Sequence, residues 1–192
     1  IIGDVQSGKT STYIGFLCKA ADAGYKVFIL LTGTTESLRK QTQERVEEGF
    51  IGIDMSAESK DGRRVGVGLD NQEIWAISMT SRVSDFVGDN DKTVISLASV
   101  KDAIVFVIKK NANTLQKLTK WLVELNADKL TKKINMPMLM IDDEADNASI
   151  NTSASKEDPT RINKLIRELA SVFTVSNYVG FTATPFANVF ID

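Results

Sequence analysis

The chain has 192 residues and a formal net charge of −2, with 43% hydrophobic and 25% charged residues. This composition is typical of a folded domain and excludes a disordered or collagen-like chain, and the near-neutral charge excludes a large basic surface for nucleic acid. The sequence lacks histidine and has one cysteine, Cys18, which excludes histidine-based catalysis, histidine- or cysteine-ligated metal sites and an internal disulfide.

Apolar runs of strand length alternate with segments of helical periodicity, which predicts an α/β domain with a mainly parallel sheet. We expect a first helix over residues 9–23, closed by Gly24 as its C-terminal cap, and a buried strand over residues 25–31. A second helix is expected from residue 38 to about residue 48, ending at Gly49.

The middle of the chain, about residues 50–100, has scattered charges and short apolar patches, which predicts an insertion with short strands. Regular structure returns after it. The expected elements are a strand at 103–108, a helix at about 113–125, a strand at 138–141, a helix from Pro159 onward and a strand at 178–181.

No apolar run reaches about 18 residues and no signal-peptide pattern is present, so we expect a cytoplasmic protein that does not enter a membrane. The chain begins at Ile1 and ends in an apolar stretch. We therefore expect residues 1–192 to form one domain that is a piece of a longer protein.

Residues 3–10, GDVQSGKT, match the pattern G-x-x-x-x-G-K-[ST] at every fixed position, directly before a predicted helix. In such a loop the backbone N–H groups turn inward around phosphates, and the helix N-terminus adds partial positive charge. The residues expected around the nucleotide are Gly3, Gln6, Ser7, Gly8, Lys9 and Thr10. Lys9 would contact the β- and γ-phosphates of ATP, and the Thr10 hydroxyl would bind Mg²⁺.

A second motif, IDDEAD, follows a predicted buried strand, at the strand end where α/β sheets bind ligands. A metal-nucleotide site needs one carboxylate to hold Mg²⁺, and a second carboxylate can orient or deprotonate the attacking water. We predict these roles for Asp143 and Glu144. Because the apolar run does not fix the register of the strand, Asp142 is an alternative ligand for Mg²⁺.

Three segments, in order and each after a predicted strand, resemble motifs I, II and III of the first RecA-like domain of superfamily 2 helicases and translocases: GDVQSGKT, IDDEAD and GFTATP. The segment LLTGTTESLRKQT resembles motif Ia of the same domain. The sequences IDDEADNAS and GFTATPFANVF are most similar to the Z-one domain of predicted bacterial endonucleases. The resemblance covers nearly the whole chain. It implies a three-layer RecA-like P-loop NTPase domain with a mainly parallel central sheet.

The resemblance also implies the ATP-binding half of a DNA-directed motor from a bacterial restriction or phage-defence system. It assigns Thr182 and Thr184 to coupling between nucleotide and nucleic acid. The candidate nucleic-acid contacts are Thr32, Thr34, Lys110 and Asn111. Helix capping is the alternative role for the two motif Ia threonines, and an ordinary surface position is the alternative for the lysine.

The partners that the resemblance implies are DNA, a second RecA-like domain that supplies arginine fingers, and a nuclease domain elsewhere in the longer protein. Without the second domain we expect weak or no ATP hydrolysis. A nucleotide-gated binding or scaffold module without productive turnover is the alternative function, and a small-molecule kinase is a third. Residues 58–60, ESK, have the E-x-K spacing of nucleases but no strand-borne aspartate beside them, so we expect any cutting centre elsewhere.

Overall fold

The computed structural model describes residues 9–56, 62–70, 76–88, 96–143 and 159–182. The helices are α1 (Lys9–Asp22), α2 (Glu36–Val46), α3 (Val67–Asp70), α4 (Ala112–Asn126) and α5 (Pro159–Ser171), with a π-helical turn at Glu47–Ile51 and a 3-10 turn at Leu97–Ser99. The strands are β1 (Val27–Thr32), β2 (Ile53–Asp54), β3 (Arg63–Arg64), β4 (Ala76–Ser78), β5 (Ala103–Lys109), β6 (Ile134–Asp143) and β7 (Phe173–Phe181).

Five strands form one sheet in the order β4-β5-β1-β6-β7, and every pairing in it is parallel. Helices cover both faces, so the domain has three layers, and the predicted α/β class with a mainly parallel sheet is confirmed. The short strands β2 and β3 form a separate antiparallel pair, whereas β4 belongs to the central sheet. Among the described residues, no helix is long and apolar enough to cross a bilayer.

Successive residues of each central strand point to opposite faces of the sheet and enter two different cores. On one face, Ile29 of β1 belongs to a cluster with residues of α4 and α5, such as Leu118 and Leu169. On the other face, Leu30 belongs to a cluster with Leu17 of α1 and with α2 and the π-helical turn. We call these the α4/α5 face and the α1/α2 face. This alternation decides toward which helices each strand-end side chain points.

Two strands begin earlier than the sequence predicted. Strand β6 starts at Ile134 instead of residue 138, with a register shift between Ile134 and Pro137, and β7 starts at Phe173 instead of residue 178. Among the described residues β7 pairs on one side only, and most of its side chains are exposed. The first residues of β7, FTVSN, include several polar residues and lack the continuous apolar run that marks a buried strand, which explains the misplaced start.

Two glycines show where the predicted helix ends were right and wrong. Gly24 has φ +93°, its N–H donates to the Ala21 carbonyl at 2.9 Å, and it caps α1 as predicted. Gly49 does not end α2, because it lies inside the π-helical turn. A Cβ at this position would lie 2.8 Å from Cγ2 of Ile14, so Gly49 permits the close approach of the turn to α1.

Candidate functional site

The predicted site residues collect at one edge of the central sheet, where the parallel strands have their carboxyl ends. The strand registers pair Thr32 with Lys109, Leu31 with Asp142, and Asp143 with Phe181. In doubly wound α/β folds this edge is where ligands bind. The structure therefore brings the end of the acidic motif strand, the motif Ia strand and β7 together.

Helix α1 has its N-terminus at this same edge. Its last residues lead through Gly24 into the amino end of β1, so the helix runs back along the sheet and Lys9 lies toward the carboxyl edge. One turn after Lys9, the Tyr13 ring packs edge-on against Phe181, with ring centroids 6.0 Å apart. Phe181 is the register partner of Asp143. The start of α1 and the end of β6 are thus neighbours.

Asp142 and Asp143 are adjacent in β6 and point to opposite faces of the sheet. Asp142 follows Met138 and Met140 on the α4/α5 face, whereas Asp143 follows Leu139 and Ile141 on the α1/α2 face. Asp143 is partly exposed and Asp142 is buried. Of the two candidate ligands for Mg²⁺, only Asp143 shares a face with the helix that begins at Lys9.

Asp142 is instead the centre of a polar cluster, in which Asp142 and Lys110 are buried and Tyr178 is half-exposed. The Lys110 ammonium lies 2.5 Å from Asp142 Oδ1, and the two side chains are 3% and 1% exposed. The Tyr178 hydroxyl donates a hydrogen bond to Asp142 Oδ2 at 2.7 Å. Burial, and then the neighbouring carboxylate, raise the pKa of Tyr178 far above its usual value. Sequence reasoning missed this cluster; an acidic residue where strand alternation calls for an apolar one was the available signal.

The four candidate nucleic-acid contacts have different surroundings. Thr32 is buried, and its hydroxyl donates to the Ile108 carbonyl at 3.2 Å. Lys110 is buried with Asp142, so its ammonium group is not presented to a nucleic-acid strand. The Asn111 side chain accepts from the backbone N–H of Thr114 at 2.9 Å and caps α4.

Thr34 is the candidate among these four whose side chain is exposed. The capping role predicted for this segment belongs to Thr35, whose side chain accepts from the Leu38 N–H at 3.3 Å. The alternative of helix capping therefore does not account for Thr34. This threonine stays a predicted nucleic-acid contact.

Several predicted residues fall outside the part of the chain that the structure describes: Gly3, Gln6, Ser7, Gly8, Glu144, Thr184 and the ESK segment. Lys9 and Thr10 are the first two residues of α1. Thr182 directly follows β7 and is buried. The roles predicted for all of these residues remain predictions.

A second polar network, which the sequence pattern did not predict, joins α2 to the chain after β4. Arg39 is fully buried, and it donates to Glu36 Oε1 at 2.7 Å and to the Ser81 carbonyl at 2.8 Å. Gln43 exchanges hydrogen bonds with Thr80. The available signal was a polar stripe, since positions 39, 43 and 47 recur every four residues on one helix face.

Charged groups complete this network. Arg82 contacts Glu47 at 2.5 Å and Glu44 at 2.8 Å. Burial raises the pKa of Glu47 despite its contact with Arg82. Burial also acts on Glu36, but hydrogen bonds and charge from Arg39 and Lys109 outweigh it and lower the pKa of Glu36. The network fixes residues 78–82 across α2, close to the carboxyl ends of β1 and β5.

Among the described residues, Asp143 is the predicted metal ligand whose carboxylate can be compared with the requirements of Mg²⁺. Among the described residues, no group of three or more acidic or cysteine side chains lies close enough to hold a metal ion. The partly exposed Asp143 offers a hard oxygen ligand, and Mg²⁺ is commonly held by one or two carboxylates with phosphate oxygens and water completing its shell. The carboxylate therefore suits a metal that arrives with a nucleotide.

A cavity of about 800 Å³ lies at the opposite, amino-terminal edge of the sheet, away from Asp143. Its lining includes Cys18, Tyr25, Phe50 and Val67. Burial raises the pKa of the Cys18 thiol, so this cysteine is not an activated nucleophile. We assign the cavity no role in the chemistry of the carboxyl edge.

Comparisons with protein-family models and with curated proteins found no match to this chain.

Proposed function

We propose that the chain is the ATP-binding motor half of a nucleic-acid-dependent ATPase of the helicase or translocase type. In this proposal it is directed at DNA and forms part of a bacterial restriction or phage-defence endonuclease, as the resemblance to RecA-like and Z-one domains implies. The observation that carries the proposal is the position of Asp143, at the carboxyl end of β6 and on the same face as α1.

The handedness of the chain connections supports the same site. The connections from β5 to β6 and from β6 to β7 contain α4 and α5, advance along the sheet toward β7 and cover one face. The connection from β1 to β4 contains α2, advances in the opposite direction and covers the other face. Parallel crossovers share one hand. Because α1 lies on the α1/α2 face and leads into β1, a strand before α1 would belong on the β7 side of β1. Among the described strands on that side of β1, β7 is the one that can pair with a further strand, along its outer side.

A phosphate-binding loop between such a strand and α1 would open beside the ends of β7 and β6. The motif GDVQSGKT occupies this place in the sequence, and its last two residues, Lys9 and Thr10, begin α1. Its backbone N–H groups and the helix N-terminus would then face the Asp143 carboxylate across the bound phosphates. The order of the motifs and the face of Asp143 thus lead to the same arrangement.

Each residue of the proposed site has a distinct task. Lys9 would neutralise charge on the β- and γ-phosphates, Thr10 and Asp143 would hold Mg²⁺, and Glu144 would accept a proton from the attacking water. When bound, Mg²⁺ would supply further charge neutralisation. Water would form a bond to the γ-phosphorus while the bond to the bridging oxygen breaks, releasing ADP and phosphate. Thr182 and Thr184 would pass the change in bound nucleotide to the nucleic-acid side.

The contact with DNA is proposed to be limited and local. Lys109 is paired with Glu36 at 2.9 Å and Lys110 with Asp142, so both lysines at the end of β5 are already partnered. Thr34 lies exposed at the same edge. We therefore place the first backbone contact of the nucleic acid at Thr34, before α2.

The test is ATP turnover measured with protein in excess over ATP, with and without DNA. We expect slow hydrolysis that is stimulated by DNA and lost in Lys9→Ala and in Glu144→Gln, with Lys19→Ala from the exposed side of α1 as the matched control. Hydrolysis that both variants retain would overturn the proposal. Tight ATP binding without any turnover, in this chain and in a longer protein that contains it, would favour the nucleotide-gated scaffold instead.

A further inference from the structure

Three strand ends are tied together by one set of side chains, Lys110, Asp142 and Tyr178, which we call the Asp142 cluster. Lys110 follows β5, Asp142 lies in β6 and Tyr178 lies in β7. Strands β5 and β6 are not neighbours, because β1 lies between them. The 2.5 Å ion pair therefore crosses the end of β1, and the 2.7 Å hydrogen bond from Tyr178 extends the connection to the edge strand.

The charged side chains of the Asp142 cluster are not explained by the stability of the fold alone. Asp142 follows Met138 and Met140 on the α4/α5 face, where both methionines are buried in an apolar cluster. Replacing a buried ion pair by apolar side chains of similar size is often neutral or stabilising. The ion pair alone holds Asp142 Oδ1, since no described donor makes a regular hydrogen bond to that oxygen. A role in geometry explains the charges better than a role in stability.

The backbone register shows where that geometry matters. The pairing register between β1 and β6 ends at Leu31 and Asp142, whereas the register between β6 and β7 continues to Asp143 and Phe181. Asp143 is thus the first residue of β6 beyond its register with β1. The Asp142 cluster holds Asp142, the residue directly before Asp143, through Lys110 on one side and Tyr178 on the other.

We propose that the Asp142 cluster positions Asp143 for its metal by fixing the end of β6. This inference rests on the proposed function. Lys110, Asp142 and Tyr178 act here as positioning residues: they touch neither nucleotide nor Mg²⁺, and they act through the backbone that carries the Asp143 carboxylate.

The test is a calorimetric titration of ATP binding at increasing Mg²⁺ concentrations, which gives the Mg²⁺ concentration that produces half of the full increase in ATP affinity. ATP binding without Mg²⁺ is measured as well. The main variant is Lys110→Met with Asp142→Leu, which removes both charges together and keeps an apolar filling. The matched control is Lys164→Met with Glu168→Leu, which removes an exposed ion pair on α5. Tyr178→Phe, at a half-exposed position, tests the third member with a minimal change.

We expect the main variant to melt at or above the wild-type temperature but to need about 10- to 100-fold more Mg²⁺, as found when partners that orient metal ligands are removed. Tyr178→Phe should shift the Mg²⁺ requirement in the same direction by a smaller factor, while binding of ATP without Mg²⁺ and the α5 control stay unchanged. A wild-type Mg²⁺ requirement in the main variant, or in Tyr178→Phe if the main variant does not fold, would overturn the positioning role alone. Wild-type protein that binds no ATP at all would overturn the proposed function with it.

Discussion

Asp142 and Asp143 are neighbours in the chain but lie in different chemical environments. Strand alternation turns Asp142 into the core beneath α4 and α5, where Lys110 neutralises it, and turns Asp143 toward the start of α1. A buried carboxylate with a lysine 2.5 Å away is not available to a metal. The partly exposed Asp143 carboxylate lies on the face of the sheet that carries α1, where the positive end of a helix dipole favours negative charge.

Removing the lysine alone should be costly. In Lys110→Met the Asp142 carboxylate would stay buried without its cation, and breaking a buried pair in this way typically costs about 3–5 kcal/mol. We expect the free energy of unfolding, measured in urea, to fall by about that amount. Adding Asp142→Leu to the same protein should restore most of the loss. A single variant as stable as wild type would show that the ion pair is not formed.

The phenol of Tyr178 gives a prediction for alkaline pH. Burial and the Asp142 carboxylate raise the pKa of Tyr178 in the folded protein above the ordinary value of 10.0. At a pH between the unfolded-state pKa and the raised folded-state pKa, the folded protein keeps the phenol proton that the unfolded protein has lost. The resulting stability is fully present below pH 10 and is lost as pH rises. We expect urea unfolding of wild type to weaken more steeply above about pH 10 than that of Tyr178→Phe. Parallel pH curves for the two proteins would contradict this environment.

At the scale of elements, the contact between α1 and the π-helical turn depends on a missing side chain. Gly49→Ala would place a Cβ 2.8 Å from Ile14, and overpacking of this kind costs about 1–3 kcal/mol. Gly15→Ala on α1 is the matched control, because a Cβ there meets nothing within 4 Å and alanine favours a helix by about 0.5–1 kcal/mol. Thermal unfolding should move down for the first variant and up for the second. A Gly49→Ala protein as stable as Gly15→Ala would mean that the two elements are farther apart.

The sequence was sufficient to predict those elements whose residues are buried on both faces. The apolar runs of β1 and β5 predict buried strands of a parallel sheet, and Gly24 predicts the end of α1. The start of β7 could not be predicted because its first positions are mostly exposed and carry polar residues. The faces of Asp142 and Asp143 could not be assigned, because a run that is apolar throughout carries no alternation from which to read its register.

The buried side of α2 was hidden for a related reason. Its stripe of Arg39, Gln43 and Glu47 resembles an exposed helix face in sequence, because charged residues are rarely buried without partners. Their partners come from residues 78–82, which are 30 or more positions away in the chain. A pattern within one helix cannot reveal contacts that only the fold creates.

At the scale of the whole molecule, the sheet separates two edges with different properties. The carboxyl edge carries Asp143, Thr34 and the start of α1, whereas the amino edge carries the cavity of about 800 Å³. Among the described residues, Lys109 and Lys110 at the carboxyl edge are both held in ion pairs with carboxylates. Under the proposed function, we expect the domain to bind nucleotide by itself and to need a partner domain for strong binding to DNA.

The central claim is that a nucleotide binds at the carboxyl edge, between Lys9 at the start of α1 and Asp143 at the end of β6. Equilibrium binding of ATP in the presence of Mg²⁺, measured by titration calorimetry on wild type, Lys9→Ala and the control Lys19→Ala, tests it most directly. We expect saturable binding to wild type and to Lys19→Ala, and binding weakened at least about 30-fold in Lys9→Ala by the loss of a charge-assisted phosphate contact. Equal affinity in all three proteins, or no binding to wild type, would contradict it.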